Sequence, residues 1–339
     1  MCRLHGLTMI YANVARKRRR NHGLTFERQF LMSPRVLRLV GLAVLAVLAI
    51  TCTADRAGAQ TTLRYKFKKG EKLNYAMEQK MVMSMSVMGR DVNLDMGQTI
   101  DMVWNVLDVD ADGKAKMTQT ISRIRFTMDG PTGKVEFDSK EGKEPDDPVG
   151  KLMAPIFKAL AGAEIGLTMD PLGKISDIKV PEKLVKAAKN LPPGLAGAGL
   201  GDMLSEEGLK QITDQSGLRL PQDAVTKGKS WEQQLEMKMP MGKMKVVTTN
   251  TYEGSVKRDG KEVERVGMKP KLTLDPDPAS PAKITLKSQD AKGSAYFDNA
   301  AGRLVGTNLS QDMEMVISAM GQEITQKLKQ TVSMKLVDK

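Results

Sequence analysis

Methionine is the residue type in this chain with the clearest capacity for chemistry. Met81-x-Met83-x-Met85 and Met237-x-Met239-x-Met241-x-x-Met244 resemble thioether clusters that hold copper(I) outside the cytoplasm. The same spacing by two is also what an amphipathic strand asks of its buried side, where methionine fills irregular gaps. Core packing is therefore the first reading of both clusters. A metal site on Met237, Met239, Met241 and Met244 is another, and a pliable apolar pocket a third. Asp108-x-Asp110-x-Asp112-Gly113 matches the front of a calcium loop, but its twelfth position is Gln119 and its flanks alternate like strands. Its Asp-Gly pair reads as a hairpin turn. Asp146, Asp147, Asp275 and Asp277 sit in loops, yet no two are singled out as an acid–base pair.

Other catalytic systems are excluded by what the chain lacks. Its two histidines, His5 and His22, and two cysteines, Cys2 and Cys52, all fall in the first 59 residues. That stretch reads as a leader. Leu39 to Ile50 is apolar, Arg35 and Arg38 precede it, and Ala57-Gly58-Ala59 follows as a small-x-small cleavage site. Met32 is a candidate start within it, and Cys52 a candidate lipid anchor that departs from the usual lipobox. Cleavage after Ala59 leaves a chain without His or Cys. Such a chain has no His-based or Cys-based nucleophile, no His/Cys zinc site and no disulfide. No enzyme activity and no cofactor are expected.

Removing the leader also removes most of the charge. The whole chain has 52 Lys and Arg against 40 Asp and Glu, and the leader holds 10 and 2 of them. A mature net charge of +4 gives no reason to expect a nucleic-acid partner. No transmembrane helix is expected in the mature chain, and the export signal implies a periplasmic, extracellular or cell-envelope location. Aromatics are scarce, and 21 of the 24 methionines lie beyond Ala59, so methionine takes space that Phe and Leu usually fill.

The elements that carry these methionines are strands. Tyr75, Met77, Gln79, Met81, Met83, Met85 and Val87 fall on every second position. After Met88-Gly89 the pattern resumes with Val92, Leu94, Met96, Gln98, Ile100, Met102, Trp104 and Val106. Period two puts each set on one face, and the two runs predict a long hairpin with one buried side. The next strand, from Lys114 to about Met128, changes phase near Ser122-Arg123, which predicts a bulge. Leu63 to Phe67 predicts a short strand ahead of the hairpin.

The middle of the chain changes character. Asp147 with Pro148 marks a helix start, and Val149, Leu152, Met153, Ile156, Phe157 and Leu160 form its apolar stripe. Pro155 predicts a kink in it or its early end. Asp170-Pro171-Leu172-Gly173 is a turn, Pro181 to Lys189 and Met203 to Asp214 are short helices, and Leu191 to Gly201 is a Pro/Gly-rich loop. From Leu218 the alternation returns and runs to the end in long strands.

The last hairpin copies the first. Displaced by 232 positions, Met81, Met83, Ser86, Met88, Gly89, Gln98, Thr99 and Met102 match Met313, Met315, Ser318, Met320, Gly321, Gln330, Thr331 and Met334. The expected fold is mainly β: two related halves of long, curved antiparallel sheet, arranged as a sandwich or a partly open barrel, with a short helical insertion between them. The division is 1–59 leader, 60–145 N-terminal β half, 146–217 insertion and 218–339 C-terminal β half, with the two halves forming one unit. The inward rows also include Gln79, Gln98, Gln119, Gln326 and Gln330, which must pair with one another or line a wet space.

Several motifs together resemble an uncharacterised family of exported bacterial β-rich proteins. They are Leu63-x-Tyr65-x-Phe67-x-x-Gly70, the Asp108 run, Asp138-Ser139, Asp170-x-x-Gly173-x-Ile175, Leu220-Pro221 and Gly228-Lys229-Ser230-Trp231. The resemblance implies no activity and no catalytic residue. The functional expectation is a non-catalytic envelope protein that binds a lipid or other hydrophobic ligand on a Met-lined surface. The candidate residues are Met81, Met83, Met85, Gln98, Trp104, Met313, Met315 and Gln330. A structural or protein-interaction module with a filled core, partnered by an envelope protein, is the alternative, and copper(I) binding a further one.

Overall fold

The computed structural model describes residues 60–338 except 88–89, 132, 143–144, 192–203, 216, 240–241, 279, 281 and 320–321. The leader, its cleavage site and Cys52 lie outside the described residues, as do Met241 and the Met88-Gly89 and Met320-Gly321 turns.

The chain builds one large antiparallel sheet that does not close, with a few short helices in the middle. Its strands are β1 (Lys72–Val87), β2 (Arg90–Val109), β3 (Ala115–Gly130), β4 (Gly133–Asp138), β5 (Glu164–Met169) and β6 (Ile175–Lys179), then β7 (Ser230–Met239), β8 (Gly242–Arg258), β9 (Lys261–Pro276), β10 (Ala282–Asp298), β11 (Arg303–Ala319) and β12 (Gln322–Leu336). The helices are α1 (Pro148–Leu160), α2 (Glu182–Lys189) and α3 (Glu206–Gln215). The strand order is β6-β5-β3-β2-β1-β12-β11-β10-β9-β8-β7, with β4 also on β3. The first and last long strands pair, Tyr75 with Leu336 and Met85 with Gln326. The two hairpins related by the repeat therefore lie side by side, one displaced by two strands along the sheet.

The two ends of the sheet, β6 and β7, both pack against α3. The Gln211 side chain donates to Glu236 O on β7. A long sheet twists and curls. Here the curl brings the ends to either side of one helix, leaving a seam without strand pairing. The partly open barrel, rather than the sandwich, is the form it takes.

Turn chemistry is local and legible. Asp110 Oδ1 accepts from Asp112 N and Lys114 N, both at 2.9 Å. Asp170 Oδ1 does the same for Leu172 N and Lys174 N, at 2.9 and 2.8 Å. Asp147 Oδ1 caps α1 by accepting from Gly150 N at 2.6 Å. The phase change in β3 is a bulge at Ser122, because Asp101 pairs with Arg123 but Met102 with Ile121.

Two expectations differ. Helix α1 runs through Pro155 without ending, and Ala154, Ile156 and Phe157 are buried on either side of it. Packing of that face on Phe126, Val135 and Phe137 offsets the lost backbone donor. Leu63 to Phe67 joins no ladder; the isolated bridge here lies just before it, between Thr61 and Val225. Its alternation comes from packing instead. Leu63, Tyr65 and Phe67 all turn into the principal core, with Tyr65 stacked 5.6 Å from Phe67 and edge-on at 5.1 Å to Phe297.

A Met-lined inner face above a closed base

One face of the sheet holds the principal core and is called inner here. It carries Tyr75, Met117, Val266, Ala295 and Phe297, all 2 % exposed or less. At one end, the base, this face is plugged by three segments from outside the sheet. Tyr65 N donates to Pro171 O at 2.9 Å, Leu220 N to Leu172 O at 2.9 Å, and Lys66 N to Gly302 O at 2.9 Å. Tyr65 Oη donates to Leu218 O at 3.2 Å, and Trp231 Nε1 to Arg219 O at 2.8 Å. Gly173 sits at the crossing with φ +82°. A Cβ there would lie 2.6 Å from Leu218 O and 2.9 Å from the Tyr65 ring. The motifs that carry the family resemblance are thus largely the parts of this plug.

Registers trace a continuous rung of inward residues across nine strands. In order from β3 to β7 it reads Phe126, Gln98, Gln79, Val332, Leu309, Gly293, Met268, Asn250 and Trp231. Below it the neighbouring inward residues, among them Met77, Ile100, Met334, Val266 and Tyr252, belong to the principal core or pack on it. Above it the picture changes. Met81, Met83, Met85, Leu94, Met313, Met315 and Ile317 are half-buried, and none belongs to a packed cluster of the described residues. Their outward neighbours Lys80, Val82, Asp95 and Asp312 are exposed. These rows are therefore sheltered but not filled, although Leu272 and Leu328 among them are buried and Met96 and Met128 pack on the Phe126 cluster.

Registers bring most of the candidate residues together. Met81 lies opposite Gln330, Met83 opposite Leu328, and Leu328 in turn opposite Met313. Met85 and Met315 flank Gln326 from either side. Gln98 faces Gln79. Trp104 shares the face but not the place: it lies three rungs below Gln98, 5.2 Å from Tyr75, in the base core. Met237 and Met244 oppose each other near the β7–β8 tip, also on the inner face, while Met239 is placed only as backbone of β7 and Met241 is not described.

Polar groups on this face divide into satisfied and unsatisfied. Gln119 donates to Met102 Sδ at 3.3 Å and Gln311 to Met313 Sδ at 3.0 Å. Gln233 accepts from Arg219 N at 3.2 Å and donates to Gly217 O at 3.0 Å. Asn250, at 1 % exposure, has no partner for Oδ1 or Nδ2, and Trp104 Nε1 has none either. Asn250 was not visible as a candidate from composition. The signal was its inward parity in Met244, Val246, Thr248, Asn250, Tyr252.

The opposite face is chemically different. Where β9 and β10 meet, it carries a groove of about 820 Å³ lined by Lys80, Arg265, Lys292, Asn308, Ser310 and Ser333 among others. Arg265 pairs with Glu253 at 2.8 Å and Lys80 with Glu78 at 3.0 Å. At the calcium-like run, Asp108 lies 3.1 Å from Lys69, which holds its carboxyl below the usual range, and Asp110 is occupied by backbone amides. Among the described residues no three or more His, Cys, Asp or Glu gather as a metal site, and no helix is long and apolar enough to cross a membrane.

Residues 112–267 match the model of a family of unknown function (DUF6263), in keeping with the resemblance to an uncharacterised family. No curated protein matches the sequence. Among solved structures, the chain is similar to one described as lipid–protein interactions in lipovitellin, with 10% identity and TM-score 0.41. The match covers 80% of this chain, which spans only 26% of the lipovitellin chain. It is also similar to a DUF1329 family protein from Desulfovibrio piger, with 10% identity, TM-score 0.12 and coverage of 75% and 83%. A third is a putative outer membrane lipoprotein-sorting protein domain from Vibrio parahaemolyticus, with 12% identity, TM-score 0.13 and coverage of 78% and 83%.

Proposed function

We propose that this is a non-catalytic protein of the cell envelope that holds a lipid or another hydrophobic molecule on the upper inner face of its sheet. One observation carries the reading. The principal core stops at the Gln98–Gln79–Asn250 rung, while the apolar rows continue above it through Met81, Met83, Met85, Met313 and Met315, half-buried and outside every packed cluster of the described residues. Contiguous apolar surface left without packing partners favours a guest, at about 25 cal/mol for each Å² removed from water. Methionine suits a face that must fit flexible chains, since its three rotors adapt to varied shapes. Export to the envelope rests on the apolar run and small-x-small site of the leader.

Native mass spectrometry after mixing with a phospholipid and acylglycerol extract tests this. A one-to-one adduct of lipid mass, abolished by Met83→Asp together with Leu328→Asp, is expected. The bare chain mass throughout would refute lipid binding and leave the protein-interaction module standing. Copper-sized increments on incubation with copper(I) would point to the opposed Met237 and Met244 instead.

A further inference from the structure

The walls above the rung are free of charge. On β1, β2 and β7 to β12, no inward position from the rung to the last pair before the strand tips is Lys, Arg, Asp or Glu among the described residues. Arg90, at the tip of β2, is the first. An ionised headgroup carried down into this space would lose its water and find no counter-ion. A purely apolar guest, in turn, would leave the amides of the rung unanswered.

Those amides are the second observation. Asn250 is 1 % exposed and neither of its side-chain polar atoms has a partner. It sits between Met268 on β9 and Trp231 on β7. Gln79 and Gln98 face each other on the same rung, and neither side chain has a hydrogen-bond partner among the described residues. The buried Asn250 amide and the half-buried Gln79 and Gln98 amides offer donors and acceptors together, which fits an uncharged group able to accept, and better still to accept and donate. A buried amide left unpaired destabilises the fold, and a polar guest atom would offset that loss.

From the charge-free walls and the unpaired amides we infer that the ligand is an uncharged amphiphile. Its ester, amide or hydroxyl group lies at the rung against Asn250, and its alkyl chain runs along the methionine rows toward the strand tips. This rests on the hydrophobic-ligand reading and narrows it to a class: acylglycerol-like or otherwise neutral lipids rather than ionised fatty acids or bare hydrocarbon.

The test is displacement of a bound apolar fluorophore by three sixteen-carbon probes: 1-monopalmitoylglycerol, palmitate at about pH 8 where it is ionised, and hexadecane. The monoglyceride is expected to displace at roughly tenfold lower concentration than palmitate, the worth of about one hydrogen bond. In Asn250→Leu this preference should shrink to about twofold with hexadecane unchanged. The thermal midpoint of Asn250→Leu should hold or rise, because an unpaired buried amide is replaced by an apolar group of similar size. Equal displacement by all three probes, or a preference untouched by Asn250→Leu, would overturn the inference while hydrophobic binding stood. A fall in the midpoint of Asn250→Leu would also overturn it, by showing that the amide serves the fold. Displacement by none of the probes would overturn the underlying reading as well.

Discussion

The Gln289 side chain holds both backbone polar groups of Leu272. Its Oε1 accepts from Leu272 N at 2.7 Å and its Nε2 donates to Leu272 O at 2.8 Å. Strands β9 and β10 are laddered only where Glu264–Met268 meets Gly293–Phe297, and nearer the tips each pairs with its other neighbour alone. One amide there does what a strand would do, closing part of the wall beside the upper inner face.

Gln289→Met keeps the volume and removes that bridge. It should lower stability by about 1–3 kcal/mol, the cost of leaving buried backbone groups unpaired. A lower urea midpoint with unchanged slope, and faster hydrogen exchange at the Leu272 amide, are the readouts. Unchanged exchange at Leu272 would mean that the two strands pair directly in solution.

The end of the core at the rung makes two methionines unequal. Met117 is 1 % exposed in the principal cluster, while Met83 is half-buried outside every cluster. Met117→Ala should cost about 2–5 kcal/mol as a core cavity. Met83→Ala should cost under about 1 kcal/mol, since little packing is lost. Equal costs in chemical denaturation would mean that the upper face is packed.

Burial raises the Tyr65 and Tyr75 phenols far above their ordinary range, and the two hydroxyls donate to Leu218 O and Leu304 O. A raised value favours the neutral form in the fold. The stability it contributes is complete below the unfolded value of about 10 and declines as pH rises beyond it. Tyrosinate absorbance should therefore appear for these two only with loss of tertiary structure. Tyr75→Phe should cost about 1 kcal/mol at neutral pH and weaken the alkaline dependence. Early titration of both phenols in folded protein would contradict the burial.

Acid acts through Asp138. Both its oxygens accept from Arg123 Nε at 3.0 Å, tying β4 to β3, and this pairing holds the carboxyl below its usual range. A lowered value contributes stability that is present above the unfolded value of about 4 and lost as pH falls through the lowered one. Asp138→Asn should be less stable at neutral pH and lose less between about pH 5 and pH 2 than the parent. Parallel melting curves for the two proteins across that range would rule the pair out as an acid-sensitive contact.

Much of this was legible because it is local. Period two placed Met81, Met83 and Met85 on one face, the Asp-Gly turn set the end of β2, and the broken phase at Ser122 marked the bulge. Trp104 shows where local reading stops. Its parity puts it on the same face as the methionines, but it packs against Tyr75 and the principal core, which the segment of Leu63 and Tyr65 completes through hydrogen bonds to Pro171, Leu218 and Gly302. The pairing of β1 with β12 is equally remote, with Tyr75 and Leu336 near opposite ends of the described residues. Asn250 was overlooked because a single polar residue in a Thr-rich strand carries no pattern. Only the register, which sets it level with Gln79 and Gln98, gives it meaning.

The claim that the core ends at the rung and a guest covers the rows above it is tested most directly by peptide-mapped methionine oxidation under limiting hydrogen peroxide, without lipid and with monoacylglycerol. Met83, Met313 and Met315 should oxidise readily in the free protein and be protected by lipid, while Met117 and Met169 stay reduced in both. Oxidation of Met83 and Met313 no faster than that of Met117, or no protection by any lipid, would contradict it.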